Sequence, residues 1–129
     1  MYTAAGNLVL NAAGDHLFFI GTDKHVYNFW WNINKWQLDA LDPNQWPPAA
    51  GNLVLNAAGT NLFFRGIDKR IYNFWWNPNK PGGPNWQLDW LTPCAPLLGI
   101  RDIVIDKFDR LFYVANDRRV YTFYWSSGW

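Results

Sequence analysis

Cysteine is almost absent: Cys94 is the one thiol among 129 residues, which excludes an intrachain disulfide framework. Within Thr92-Pro-Cys-Ala-Pro96 it reads as a small apolar residue of a connector. Charge is scarce and balanced. Eleven Lys and Arg face ten Asp and Glu, for a net charge of +1. No basic block stands out, so a nucleic-acid surface is not expected. No apolar run approaches the roughly 20 residues that span a bilayer, so membrane insertion is not expected either. Met1-Tyr-Thr-Ala-Ala-Gly6 carries neither the basic start nor the apolar stretch of a signal peptide. Composition leaves the compartment open, secreted or cell-surface included. Catalytic signatures are missing too: no Gly-x-Ser-x-Gly, no phosphate-binding glycine loop and no Cys/His cluster. The expectation is a protein that is not an enzyme, with no cofactor and no metal.

What is abundant is aromatic surface. Ten Trp, six Tyr and nine Phe make up 19% of the chain. Large rings at that density suit both core packing and the stacking of flat, semi-polar ligands.

The arrangement of those rings is repetitive. Residues 4–32 read AAGNLVLNAAGDHLFFIGTDKHVYNFWWN, and residues 49–77 read AAGNLVLNAAGTNLFFRGIDKRIYNFWWN. At an offset of 45, six of these 29 positions differ. Each copy is followed by a second matching piece, Trp36-Gln-Leu-Asp-Ala-Leu41 and Trp86-Gln-Leu-Asp-Trp-Leu91. A diverged third copy follows. Asp102–Asp106 parallels Asn7–Asn11, Asp109–Asp117 parallels Asp15–Asp23, and Arg119–Trp125 parallels His25–Trp31.

Inside each copy the hydrophobic pattern has period two, with β-branched and aromatic residues separated by Gly, Asn and Asp. The first copy predicts strands at about 7–11, 16–21, 25–32 and 36–41. Four antiparallel strands in about 45 residues match one blade of a β-propeller. The expected organisation is an all-β chain of three blades, 4–48, 49–96 and an incomplete 97–129. Both faces of the third strand carry large apolar groups, as in a blade packed between two neighbours. Propellers close with about four to eight blades. Two chains would supply six, so a homodimer sharing one ring is expected. The sheet edge left where a fourth strand of the third copy would stand invites such pairing.

The chemistry is carried by repeated aromatic–amide clusters. Trp30-Trp31-Asn32 and Trp75-Trp76-Asn77 end the third strand of two copies, Trp36 and Trp86 open the next strand, and Trp125 belongs to the third version. An indole covers the apolar face of a pyranose while amides and charged groups bond its hydroxyls. These residues, with Arg65, are the candidate carbohydrate-binding positions. The same tryptophans equally suit packing between blades. Alternation lets one member of each pair, Trp31 or Trp76, share a face with the core aromatics, which leaves Trp30 and Trp75 to reach a cleft. His16 and His25 become Asn61 and Arg70 in the second copy and show no ligand spacing, so they read as surface or turn histidines. Asp23, Asp68 and Asp117 recur in one hairpin position, where Asp bonds nearby backbone, with a ligand or calcium contact as the alternative. Asp39 and Asp89 lie on the presumed outer strand, where they can equally be solvated.

Residues 63–76, Phe-Phe-Arg-Gly-Ile-Asp-Lys-Arg-Ile-Tyr-Asn-Phe-Trp-Trp, resemble the repeat of bacterial propeller lectins such as the fucose-binding lectins of Photorhabdus. The Leu-Phe-Phe strand and the Asn-Trp pieces are also similar to the five-bladed tachylectin-2. The resemblance touches all three copies and transfers position by position to Gly66, Asp68 and the aromatic strand after them. It implies glycan partners, fucose-type sugars among them, bound at sites between adjacent blades without catalysis. Such sites repeated around a ring would make a multivalent agglutinin. Two other readings stand beside it: a protein-interaction or adhesion propeller whose aromatics are all structural, and a hydrolase propeller needing a carboxylate couple at a central pocket. Near-identical copies also fit an engineered or excised repeat fragment.

Overall fold

A computed structural model describes residues 4–42, 44–79, 86–91 and 103–124, and every regular element in them is a β-strand. The first sheet is a meander of β1 (Ala4–Leu10), β2 (His16–Gly21), β3 (Val26–Asn32) and β4 (Lys35–Ala40). The second repeats it with β5 (Ala49–Leu55), β6 (Asn61–Gly66), β7 (Ile71–Trp76) and β8 (Trp86–Trp90). The third contains β9 (Val104–Ile105), β10 (Arg110–Val114) and β11 (Val120–Tyr124) among the described residues. Trp125, Cys94 and the expected 96/97 boundary lie outside the described residues.

Local chemistry fixes the turns. Asn11 Oδ1 accepts the amides of Asp15 and His16, each at 3.1 Å, and Gly14 takes the left-handed conformation at φ 76°. Asn56 and Gly59 repeat the device, with the Thr60 and Asn61 amides at 2.9 and 3.0 Å. In the third sheet Asp106 takes the Asn role, accepting the Phe108 and Arg110 amides at 2.9 Å each. That turn is one residue shorter, and Asp109 at φ 62° occupies the glycine position rather than the Asp15 position expected from alignment.

The β2–β3, β6–β7 and β10–β11 hairpins share a second lock. Asp23, Asp68 and Asp117 each accept the backbone amide two residues on, at 3.1, 3.1 and 2.9 Å. Their other oxygens accept the hydroxyls of Tyr27, Tyr72 and Tyr121, the last two at 2.5 and 2.6 Å. The structural role expected of these carboxylates is therefore larger than a turn: each fastens a hairpin tip to the strand beside it. Glycine precedes each of the first two tips, where the third has Ala115. A Cβ on Gly66 would stand 2.6 Å from Pro47 and 2.7 Å from Asp68 Oδ1.

Alternation then decides how sheets meet. On the first sheet Val9, Phe18, Ile20 and Val26 share one face; Leu8, Leu10, Phe19, Tyr27 and Phe29 share the other. The Phe18 face packs on the second sheet through Leu53, Leu62, Phe64 and Phe74, which are the 45-offset copies of Leu8, Leu17, Phe19 and Phe29. The second sheet repeats the step: Phe63, Ile71 and Leu91 pack on Ile103, Leu111 and Tyr113 of the third. Blades thus stack head to tail, the Phe18-type face of each against the Phe19-type face of the next. Asparagines rivet the first strands together. Asn7 Nδ2 donates to the Leu53 carbonyl and Asn7 Oδ1 accepts its amide, both at 3.0 Å. Asn52 does the same to Ile103 at 2.9 and 3.1 Å.

Among the described residues, the second sheet alone is packed on both faces. Packing on both faces is the expectation for every blade, but the Phe19 face of the first sheet has no neighbour among the described residues. Leu8 is 60% exposed where Leu53 is 1% exposed, and Phe29 is 36% exposed where Phe74 is fully buried. Sequence identity gives these residues the same strand position; only the covering sheet differs.

Candidate functional site

Between the first two sheets lies an open cleft of about 670 Å³. The first sheet contributes His16, Phe18, Asn28, Trp30, Trp31 and Asp39; the second contributes Thr60, Trp76 and Trp86.

One wall is held by cross-strand bonds. His16 pairs with Trp30 across β2 and β3, and their rings stack at 6.0 Å with planes 10° apart. His16 Nδ1 lies 3.2 Å from Asn28 Oδ1. Trp30 donates its Nε1 proton to Asp39 Oδ2 at 2.6 Å, a charge-assisted bond that fixes the plane of the indole. The second sheet carries the same set: Asn61 Nδ2 donates to Asn73 Oδ1 at 3.3 Å, and Trp75 Nε1 donates to Asp89 Oδ2 at 2.5 Å.

The opposite wall is aromatic. Trp76 and Trp86 meet edge to face at 5.5 Å, and Trp86 meets Phe18 of the first sheet edge-on at 5.6 Å. Phe74, two residues before Trp76 on the same face, is fully buried by the first sheet, while Trp76 keeps 44% of its surface in water. Trp31, its copy on the uncovered face of the first sheet, keeps 43%, so this exposure goes with the position at the strand end, and the first sheet leaves it open. The cleft joins an aromatic wall to polar groups on Asp39, Thr60 and the buried Asn28.

The candidate residues fall into groups. Trp30, Trp31, Trp76 and Trp86 come together at this cleft, so both members of a Trp pair reach cleft surface: Trp30 from one sheet face and Trp31 and Trp76 from the other. Trp36 stacks on Phe29 at 5.2 Å and meets Trp31 edge-on at 5.5 Å, on the uncovered face of the first sheet. Trp75 stands on the face of the second sheet that is turned to the third. Asn32 ends β3, paired with Lys35 of β4, and Asn77 follows β7, where its Oδ1 accepts the Asn79 amide at 3.2 Å. Arg65 is not among the residues of this cleft: it is half-buried and donates from Nη2 to the Ala50 carbonyl at 2.9 Å. Trp125 lies outside the described residues.

Sequence reasoning missed three contributors. His16, read as a surface or turn histidine, is ordered against Trp30 and Asn28 at the cleft. Asp39 and Asp89, which on sequence grounds can equally be solvated, each hold an indole. The signal was present in the register. Asn28 faces Asp39 and Trp30 faces Gln37, which puts Asp39 diagonal to Trp30, and the second copy repeats this with Asn73, Asp89 and Trp75. Among the described residues, no group of three His, Cys, Asp or Glu is placed to hold a metal ion.

No protein-family model matches the chain, and no curated protein does. Solved structures do match in shape. The chain is similar to a fucose lectin from Kordia zhangzhouensis, solved with methyl-fucoside, at 18% identity and a TM-score of 0.55, over 94% of this chain and 92% of that one. It is also similar to the β-propeller domain of Cps50 (Swd1) from Myceliophteria thermophila, at 14% identity and a TM-score of 0.61, over 98% of this chain and 41% of that one. At these identities the likeness is one of fold, and the fold is that of β-propeller blades.

Proposed function

We propose that the protein is a carbohydrate-binding lectin whose clefts between adjacent blades each take a pyranose. The observation that carries this is Trp76. A half-exposed indole stands beside a fully buried neighbour on the same strand face, across a cleft from Asp39 and Asn28. The indole offers its face to sugar C–H groups, and the carboxylate and amides offer directional acceptors to hydroxyls. Individual contacts of this kind are weak, and repetition around a ring converts them to avidity. In this reading a second copy completes the ring as a homodimer, giving a multivalent agglutinin.

The reading is non-catalytic. Asp39 is the one carboxylate among the described residues lining the cleft, and it is engaged by Trp30. Glycoside hydrolysis ordinarily uses two carboxylates about 5–10 Å apart. Likeness in fold to a lectin solved in complex with methyl-fucoside makes 6-deoxy sugars the first class to test.

The test is a glycan array with the purified protein. Selective binding that a free monosaccharide competes away supports the lectin; a blank array, together with a protein partner bound even after deglycosylation, would replace it with an interaction scaffold.

A further inference from the structure

We infer that the two uncovered sheet faces are the two halves of one subunit junction, and that this junction builds a further cleft from residues of both chains. The inference rests on the ring proposed above and names the surfaces that close it.

The chain supplies its own standard for what covers each face. The Phe19-type face is buried by a Phe18-type face at both internal contacts. The first sheet leaves a Phe19-type face open, carrying Leu8, Leu10 and Phe29. Among the described residues, the third sheet leaves a Phe18-type face open. Its Val104, Phe112, Val114 and Val120 stand in register with Val9, Phe18, Ile20 and Val26 of the first sheet. Val120 is 68% exposed where Val26 is fully buried. The open pair therefore has the residues of a contact the chain already makes twice, one half at each end of the stack. A second copy presenting its first sheet to the third sheet of this one fills both. Such a contact is heterologous, and two of them close a ring about a two-fold axis.

The junction cleft differs from the first in its residues. Arg110 stands where His16 stands in the first cleft, and Thr122 where Asn28 stands. The facing wall, filled by Trp76, Trp86 and Thr60 in the first cleft, comes from Trp31, Trp36 and Asp15 of the partner subunit. Arg110 is held by Asp106 at 2.6 Å, so this cleft carries an oriented guanidinium where the first has none among its lining residues. Neither chain has both walls.

The experiment uses sedimentation equilibrium on the full chain and on Leu8→Glu and Val120→Glu. Both positions are exposed within a single chain, so either charge is tolerated by the fold; circular dichroism checks this, and Leu10→Lys with Val104→Lys repeats the pair if one fails. The wild type is expected at twice 15.1 kDa and each variant at 15.1 kDa. An equimolar mixture of the two variants is expected to regain the dimer more weakly, because one intact junction remains between unlike chains. A monomeric wild type overturns the inference. So does a dimer indifferent to both variants, or folded variants that fail to associate when mixed. Glycan binding at the first cleft is expected to persist in both monomeric variants. Its absence in wild type and variants alike, with the dimer intact, would count against the lectin and leave the junction standing.

Discussion

Leu8 and Leu53 offer an internal control on blade packing. They are the same residue at the same place in two near-identical strands, and they differ in whether a sheet lies over them. Leu53→Ala removes a fully buried side chain from the cluster of Phe18, Val26, Phe64 and Phe74. It is expected to cost about 2–5 kcal/mol, transfer and cavity terms together. Leu8→Ala removes a side chain that is 60% exposed. Scaling the roughly 1.5–3 kcal/mol of full burial by the remaining fraction gives about 1 kcal/mol. Urea unfolding followed by tryptophan fluorescence, at a protein concentration that keeps the chain monomeric, reads the difference directly. As concentration rises and the junction forms, the Leu8→Ala cost is expected to climb toward that of Leu53→Ala. Equal costs at low concentration, or a Leu53→Ala cost near 1 kcal/mol, would refute head-to-tail packing.

Three further outcomes are expected. Asn52→Ala withdraws two bonds from the backbone of Ile103 and should destabilise the chain by about 1–3 kcal/mol in the same unfolding assay, with Asn52→Asp recovering less than the full loss. Asp39→Asn should leave stability within about 1 kcal/mol, because the Trp30–Asp39 pair is exposed, yet lower sugar affinity at the first cleft by about tenfold in a calorimetric titration. Stability should fall at both ends of the pH scale in thermal melts. The Tyr121 hydroxyl and the Arg119 amide hold Asp117 below the usual carboxylate range. At Asp23, desolvation pushes upward but is outweighed by Tyr27 and the His25 amide. Depressed carboxylates contribute above their unfolded pKa, and that contribution is lost as pH drops below about 4. Desolvation and the Asp68 bond push Tyr72 upward, and the Asp117 bond pushes Tyr121 upward. The folded state therefore resists their ionisation and loses stability as pH rises above about 10. Asp117→Asn should flatten part of both limbs.

Much of the fold was legible because the repeat reports on itself. An offset of 45 with six changes in 29 positions marks the strands, and period-two alternation separates Phe18 from Phe19. The sequence could not say which face would be covered. Leu8 and Leu53 are indistinguishable in sequence, and their burial depends on what lies beside each sheet. The site was half legible. The tryptophan clusters stand out by composition, whereas the bonds from Trp30 and Trp75 to Asp39 and Asp89 depend on strand register. The separations are 9 and 14 residues, because the intervening loop differs in length. His16 was passed over because its copy is Asn61, yet both side chains make the same bond to the amide across the hairpin. The turn at Asp109 was misaligned by one residue for a similar reason: an aspartate took the left-handed position that glycine holds in the other two copies.

The most direct test of the central claim is a crystal structure of the protein with the best monosaccharide from the array. A pyranose ring is expected stacked on Trp76, with hydroxyls within bonding distance of Asp39 and Asn28. Sugar bound elsewhere, with Trp76 and Asp39 untouched, would contradict it.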